Sequence, residues 1–368
     1  MVDANKSLVE DMEKASKEAE ELNEKEYQLR KNRVEYEHHQ LQERIRRKNA
    51  FSNLPIGKNI SERANSLIKE NREYIEYAKQ ATTFLNLNIF KDKVALFPRN
   101  IILIGAETGT GKSTTGANFI FAQLQRKKKV LVITNEEYPT DILNRVVCLI
   151  NGWAYTNHDE VTAEMQTEFD RLYPLLMQKI EIIHDAFNGE GGTTTTLEGI
   201  QSIYNTLTDQ YKNGEEPYDA VIIDYIQNIK TSLDNPKLPQ WGVLDRFGAL
   251  TDSWKGSYPA PILLLSQLKP TKSDGEENDF KDRIEKFKAV MNHATTAIEV
   301  TAERENLRTK WTFRKSRFKN CVGTSIYTGY DKGRYVEWNN EFANKVRMKQ
   351  DEKKHSVGMK SVFKKEGD

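Results

Sequence analysis

Residues 101–114 read Ile101-Ile102-Leu103-Ile104-Gly105-Ala106-Glu107-Thr108-Gly109-Thr110-Gly111-Lys112-Ser113-Thr114. Four consecutive apolar residues fit a strand buried on both faces, and the glycine-rich stretch after them ends on Gly-Lys-Ser. This is the pattern of a loop that cradles phosphate between a strand and a helix. Backbone N–H groups between Glu107 and Gly111, with the positive end of the following helix, make a concave anion site. Lys112 adds a point charge for the β- and γ-phosphates, and Ser113 offers a hydroxyl to Mg²⁺. The strict pattern has glycine where this chain carries Ala106, and alanine fits there if its φ is negative. The stretch 105–114 as a whole is therefore the expected nucleotide site, although it does not say what the nucleotide drives.

Outward from this loop, apolar runs alternate with helix-compatible stretches. Helices are expected at 116–125, 140–150, 161–179 and 197–211, and strands at 129–134, 180–184, 220–224 and 262–265. Such alternation predicts an α/β fold with a mostly parallel sheet covered on both faces. From Trp311 onward the pattern switches to alternation, which predicts an antiparallel edge.

The first 54 residues contain neither Gly nor Pro, and Leu8, Met12, Ala15, Ala19, Leu22, Glu26, Leu29, Arg33 and Tyr36 recur at spacings of four and three. They predict a long charged helix with a weak coiled-coil seam, because alanines bury little and Glu26 and Arg33 interrupt it. Pro55-Ile56-Gly57 breaks it, and Ser61 can cap a second amphipathic helix. The expected organisation is an appendage over 1–54, a helical linker over 55–96, a motor domain over 97–340 and a basic, frayed tail over 341–368.

Lys plus Arg number 55 and Asp plus Glu 54, for a net charge of +1, so any nucleic-acid contact must come from local patches. Cys148 and Cys321 lack metal-ligand spacing and fit ordinary thiols in a reducing cytoplasm. The charged N-terminus and the absence of a long apolar run reveal no export signal or membrane span.

Three strand ends carry groups that an ATPase needs. Asp224 closes an apolar strand, from where a carboxylate can hold the Mg²⁺ shell while Ser113 binds the metal. Glu136 ends the strand after the loop's helix and can orient or deprotonate the attacking water, with Glu137 an immediate competitor. Gln267 ends another strand, where its amide can report the γ-phosphate to a neighbouring loop; a purely structural strand-end glutamine is the alternative.

Taken in order, GAETGTGKST, VLVITNEE, ILNRVV, AVIIDYIQ, LLLSQL and FRKSRF resemble the RecA-like motor domain of the DnaB family of hexameric helicases. The resemblance covers about residues 97–335. It favours Glu136 as the catalytic glutamate and matches Arg145 to an arginine of the family. It also implies that Lys315 and Arg317 reach the γ-phosphate of a neighbouring subunit.

By the same resemblance the chain binds ATP and Mg²⁺, hydrolyses ATP at the interfaces of a homo-oligomer, a hexameric ring, and moves along single-stranded DNA as a helicase. The loops at about 228–240 and 269–288 would line the channel. The family's globular N-terminal domain is replaced by residues 1–54, through which a protein partner would dock, and the family's residues after SQL are here Lys269-Pro270. A RecA- or KaiC-like recombinase or regulatory ATPase, and a helicase-loading accessory ATPase, are the alternatives. The compact build suits a virus or mobile element acting in the cytoplasm of a bacterial cell.

Overall fold

The computed structural model describes residues 82–98, 100–155, 160–184, 195–230, 239–269, 288–317 and 319–348, with the single helical positions Ala64, Asn65, Ile68, Arg72 and Ile75. The helix expected over 1–54 lies outside the described residues. So do 231–238 and 270–287, which make up most of the two expected channel loops, and the tail from 349.

Two short strands, β1 (Thr82–Thr83) and β2 (Ala95–Leu96), pair with each other. The main sheet contains β3 (Ile101–Glu107), β4 (Val130–Thr134), β5 (Ile180–His184), β6 (Ala220–Asp224), β7 (Ile262–Leu268), β8 (Thr296–Glu303), β9 (Arg308–Ser316), β10 (Ser325–Asp331) and β11 (Arg334–Glu337). Its order is β11-β10-β9-β8-β3-β7-β6-β4-β5, parallel from β8 to β5 and antiparallel from β8 outward to β11.

The helices are α1 (Lys112–Leu124), α2 (Pro139–Asn151), α3 (Ala163–Met177), α4 (Leu197–Lys212), α5 (Gln240–Ser257) and α6 (Lys288–His293). The period of two along β3 divides the core. Ile102 and Ile104 pack with residues of α1, α2 and α3, while Ile101 and Leu103 pack with α4 and α5 on the other face. Hence the expected parallel sheet and antiparallel edge are both present.

Several boundaries differ from the sequence reading. The loop's helix starts at Lys112 rather than 116, so Lys112 belongs to its first turn. No element was expected over α5 or β8. The sequence of α5 has glycines at 242, 248 and 256 and only weak amphipathicity, yet a Cβ at Gly248 would collide with the His293 ring. The glycine lets α6 rest directly on α5. Strand β8 buries Glu299 in mid-strand, where the Arg314 guanidinium of β9 donates to its Oε2 at 2.8 and 2.6 Å. A charge that looks like a strand-breaker is thus neutralised by its neighbour.

The boundary expected at 96/97 runs through packed structure. Phe84 and Phe90 are fully buried, edge-to-face with each other at 5.2 Å and with Trp311 at 6.1 and 5.2 Å between ring centroids. At the other end, 340–348 is helical where a frayed tail was expected, because Phe342 stacks edge-on to Trp338 and Val346 is buried. Phe84→Ala should therefore lower stability by about 3–5 kcal/mol in urea unfolding; a linker residue would give a change near zero.

Candidate nucleotide-binding site

Strand β3 delivers its own end to the site. Ala106 lies in extended backbone between Gln267 of β7 and Val300 of β8, and its methyl is buried in the core. Extended backbone has negative φ, which is why alanine is accepted where the motif has glycine. The turn follows at 108–111. Gly111 has φ of 108°, and a Cβ there would meet the Tyr335 hydroxyl at 3.0 Å, so this position requires glycine on two counts.

Lys112 begins α1 and turns its side chain toward the ends of β4 and β6. These strands pair in parallel with Thr134 opposite Asp224, and the Asn135 N–H donates to the Asp224 carbonyl at 3.0 Å. The Lys112 Nζ donates to Asp224 Oδ1 at 2.9 Å and to Glu136 Oε2, and lies 3.9 Å from the centre of the Tyr225 ring. One ammonium thus faces two carboxylates. Burial pushes Asp224 up from 3.8 to about 6, with the Lys112 charge and hydrogen bond pulling it back and Glu136 and Glu137 adding to the rise.

The two neighbouring glutamates face different partners. Glu136 pairs with Lys112 and keeps 39 % of its side chain exposed, whereas Glu137 is 17 % exposed and accepts from Arg145 of α2 at 2.9 Å. The Arg145 guanidinium in turn lies 4.0 Å from the centre of the Tyr155 ring. Ser113, Glu137, Arg145 and Asp224 line one small pocket.

The Gln267 amide donates to Thr108 Oγ1 inside the loop. The Gln267 backbone is gripped by Gln227, which donates from Nε2 to its carbonyl at 2.6 Å and accepts its N–H at 3.1 Å. The strand-end glutamine therefore touches the phosphate loop.

Lys315 and Arg317 stand at and just beyond the end of β9 and bind the C-terminal end of α6. Lys315 Nζ donates to the carbonyls of Met291 at 2.6 Å and Asn292 at 2.9 Å, and Arg317 donates to Asn292 at 2.9 Å. No hydrogen bond among the described residues joins either side chain to the phosphate loop of its own chain.

Three contacts of the loop escape sequence reading. The buried Tyr335 hydroxyl stands 3.2 Å from Thr115 Oγ1 and 3.5 Å from the Gly111 carbonyl. Asn118 of α1 accepts from the Tyr335 N–H at 2.9 Å and donates to the Gly333 and Thr114 carbonyls, each at 2.8 Å. Arg304, in the turn between β8 and β9, donates to the Gly109 carbonyl. The only trace of Tyr335 in the sequence is the alternation over 334–338, which says nothing of a partner 220 residues away.

A buried carboxylate beside an amine and a hydroxyl, at the mouth of an amide-lined turn, defines a P-loop ATPase domain on a RecA-like fold. Residues 89–239 match the family model described as ATPase: KaiC, so the chain carries a KaiC-like ATPase domain. No curated protein matches the chain. Among solved structures, one described as the ATPase domain of a larger protein superposes with a TM-score of 0.58 at 13% identity, over 77% of this chain and 100% of that one. A DnaB-like replicative helicase, described with its interactions with primase, gives 0.56 at 12% identity over 88% and 79%. At these identities the likeness is one of fold.

Without nucleotide, Asp224 leaves one uncompensated negative charge in the site. Its pKa is raised in the folded state, so the destabilisation is full above about pH 6 and is relieved as pH falls toward 3.8. Asp224→Asn should raise the thermal midpoint of nucleotide-free protein at pH 8. That gain should shrink between pH 6 and 4 in melts across the range.

Proposed function

We propose that the protein is an ATP-driven motor of the DnaB type, which hydrolyses ATP at the interfaces of a ring of subunits and moves along single-stranded DNA. The observation that carries the reading is a phosphate loop with its lysine held by two carboxylates, while the basic pair Lys315 and Arg317 points to a different part of the same chain. A site built this way has a cationic group on one subunit available to the phosphate of the next. The share of fold with a DnaB-like helicase and the ordered motifs from GAETGTGKST to FRKSRF support the same reading.

The residues suggest how the chemistry runs. Incoming β- and γ-phosphates compete with Glu136 and Asp224 for Lys112, and the ammonium moves to the phosphates. Glu136 is then free to accept a proton from water as the water oxygen bonds to the γ-phosphorus. The bond between that phosphorus and the oxygen bridging to ADP breaks, and the electron pair leaves with ADP. Ser113 and Asp224 offer a hydroxyl and a carboxylate to Mg²⁺. Among the described residues no cluster of three or more His, Cys, Asp or Glu could hold a metal, so phosphate oxygens would complete the shell. When bound, Mg²⁺ supplies charge neutralisation at the β- and γ-oxygens.

Glu137 is neutralised by Arg145 and serves as a structural anchor. Glu136→Gln should therefore lower kcat by about 100-fold or more with ATP affinity retained, and Glu137→Gln should change kcat far less.

A KaiC-like regulatory ATPase is the second reading, favoured by the family match over 89–239. Nucleic acid separates the two. The motor reading expects single-stranded DNA to stimulate ATP turnover, and full ATPase activity without oligonucleotide binding at low salt would leave only the regulatory one. Mixing subunits tests the shared site: Lys112→Ala and Arg317→Ala should each be inactive alone, and mixed rings should regain part of the activity because some interfaces carry both native residues.

A further inference from the structure

The Gln267 contact with Thr108 is one end of a longer chain of amides. Gln227 follows β6 in the short turn Ile226–Asn228, and its side chain acts like one more residue of a neighbouring strand. Its Nε2 donates to Gln267 O at 2.6 Å and to Ser266 Oγ at 2.8 Å, and its Oε1 accepts the Gln267 N–H at 3.1 Å. Three bonds fix the end of β7 to this one amide. The backbone of Gln227 is itself held, because Gln240 Nε2 donates to the Gln227 carbonyl at 3.2 Å and to the Ile229 carbonyl at 2.9 Å.

Gln240 is the first residue of α5, and Trp241 beside it is 62 % exposed. An unbroken path of covalent and hydrogen bonds therefore runs from Thr108 through Gln267 and Gln227 to the first turn of an 18-residue helix.

We propose that Gln227 and Gln240 are positioning residues that carry the phosphate state of the loop to the N-terminal turn of α5. Phosphate in the loop offers the Gln267 amide an acceptor other than Thr108. A shift of Gln267 is transmitted through its clamped backbone, since Gln227 cannot follow β7 without drawing on the carbonyl that Gln240 holds. Buried amide networks suit this, because each bond broken without replacement leaves a polar group unsatisfied and the set moves together. Spatial continuity alone does not demonstrate coupling, so the test must read both ends.

Trp241 is a built-in reporter. The proposal rests on the nucleotide-driven reading and not on nucleic acid, so the experiment uses ATP analogue and ADP alone. Trp241 emission is isolated as the difference between the full chain and its Trp241→Phe variant, and nucleotide affinity is measured separately by calorimetry. The expected result is a Trp241 signal that differs between ATP analogue and ADP. That difference should be lost in Gln240→Glu, which cannot donate to either carbonyl, with ATP affinity and basal turnover unchanged. Gln227→Glu, which keeps the acceptor for the Gln267 N–H and loses both donations, should lose it as well and serves if Gln240→Glu does not fold. Nucleotide that binds while the difference is absent in the native chain, or survives in both variants, overturns the relay alone. No nucleotide binding at all overturns the ATPase reading and the relay with it.

Discussion

The site depends on one constraint, the parallel pairing of β3 with β7 on one side and β8 on the other. Gly105, Ala106 and Glu107 stand opposite Ser266, Gln267 and Leu268, so the phosphate loop leaves the sheet level with Gln267. Shifting β7 by one residue would turn Gln267 to the opposite face and bring Ser266 or Leu268 into its place. The register is fixed because Ile101 to Ile104 are all fully buried and divide between two cores, so a slip would exchange their packing partners. The geometry of the loop is in this sense a by-product of core packing.

Around that loop the charges cancel internally. Lys112 occupies itself with the same two carboxylates that hydrolysis would require, Glu137 is held apart by Arg145, and Lys315 and Arg317 bind helix carbonyls. Each functional charge thus has a local partner that phosphate must displace. Association with nucleotide is then an exchange of ion pairs rather than the filling of an empty polar hole. Such an exchange keeps the net change in solvation small.

Sequence and structure agree where burial speaks through composition. The runs 101–104, 220–223 and 262–265 are apolar because both faces are covered, and their strands are legible without any contact being known. The carboxylates and amide at strand ends were legible for the same reason, since a polar residue closing an apolar run has few structural uses. Helix α5 and strand β8 were not, because what stabilises them lies elsewhere in the chain. Gly248 makes sense only against His293, and Glu299 only against Arg314. The pairing of Glu136 with Lys112 and Glu137 with Arg145 likewise follows from the turn after β4, which one-dimensional spacing cannot orient. Phe84 and Phe90 read as a linker because nothing local shows that Trp311 awaits them.

Tyr335 and Asn118 join the last strand of the sheet to the first turns of the helix behind the phosphate loop. Thr115 and Tyr335 are separated by 220 residues, which at roughly 5–20 residues per second correspond to about 10–40 s of synthesis. During that interval a nascent chain carries the complete loop sequence with nothing behind it. The backbone that would cradle phosphate is shaped only once the antiparallel edge has closed. Nucleotide capture is thereby timed by translation itself, and a ribosome-bound fragment ending before residue 335 would carry the motif without the brace.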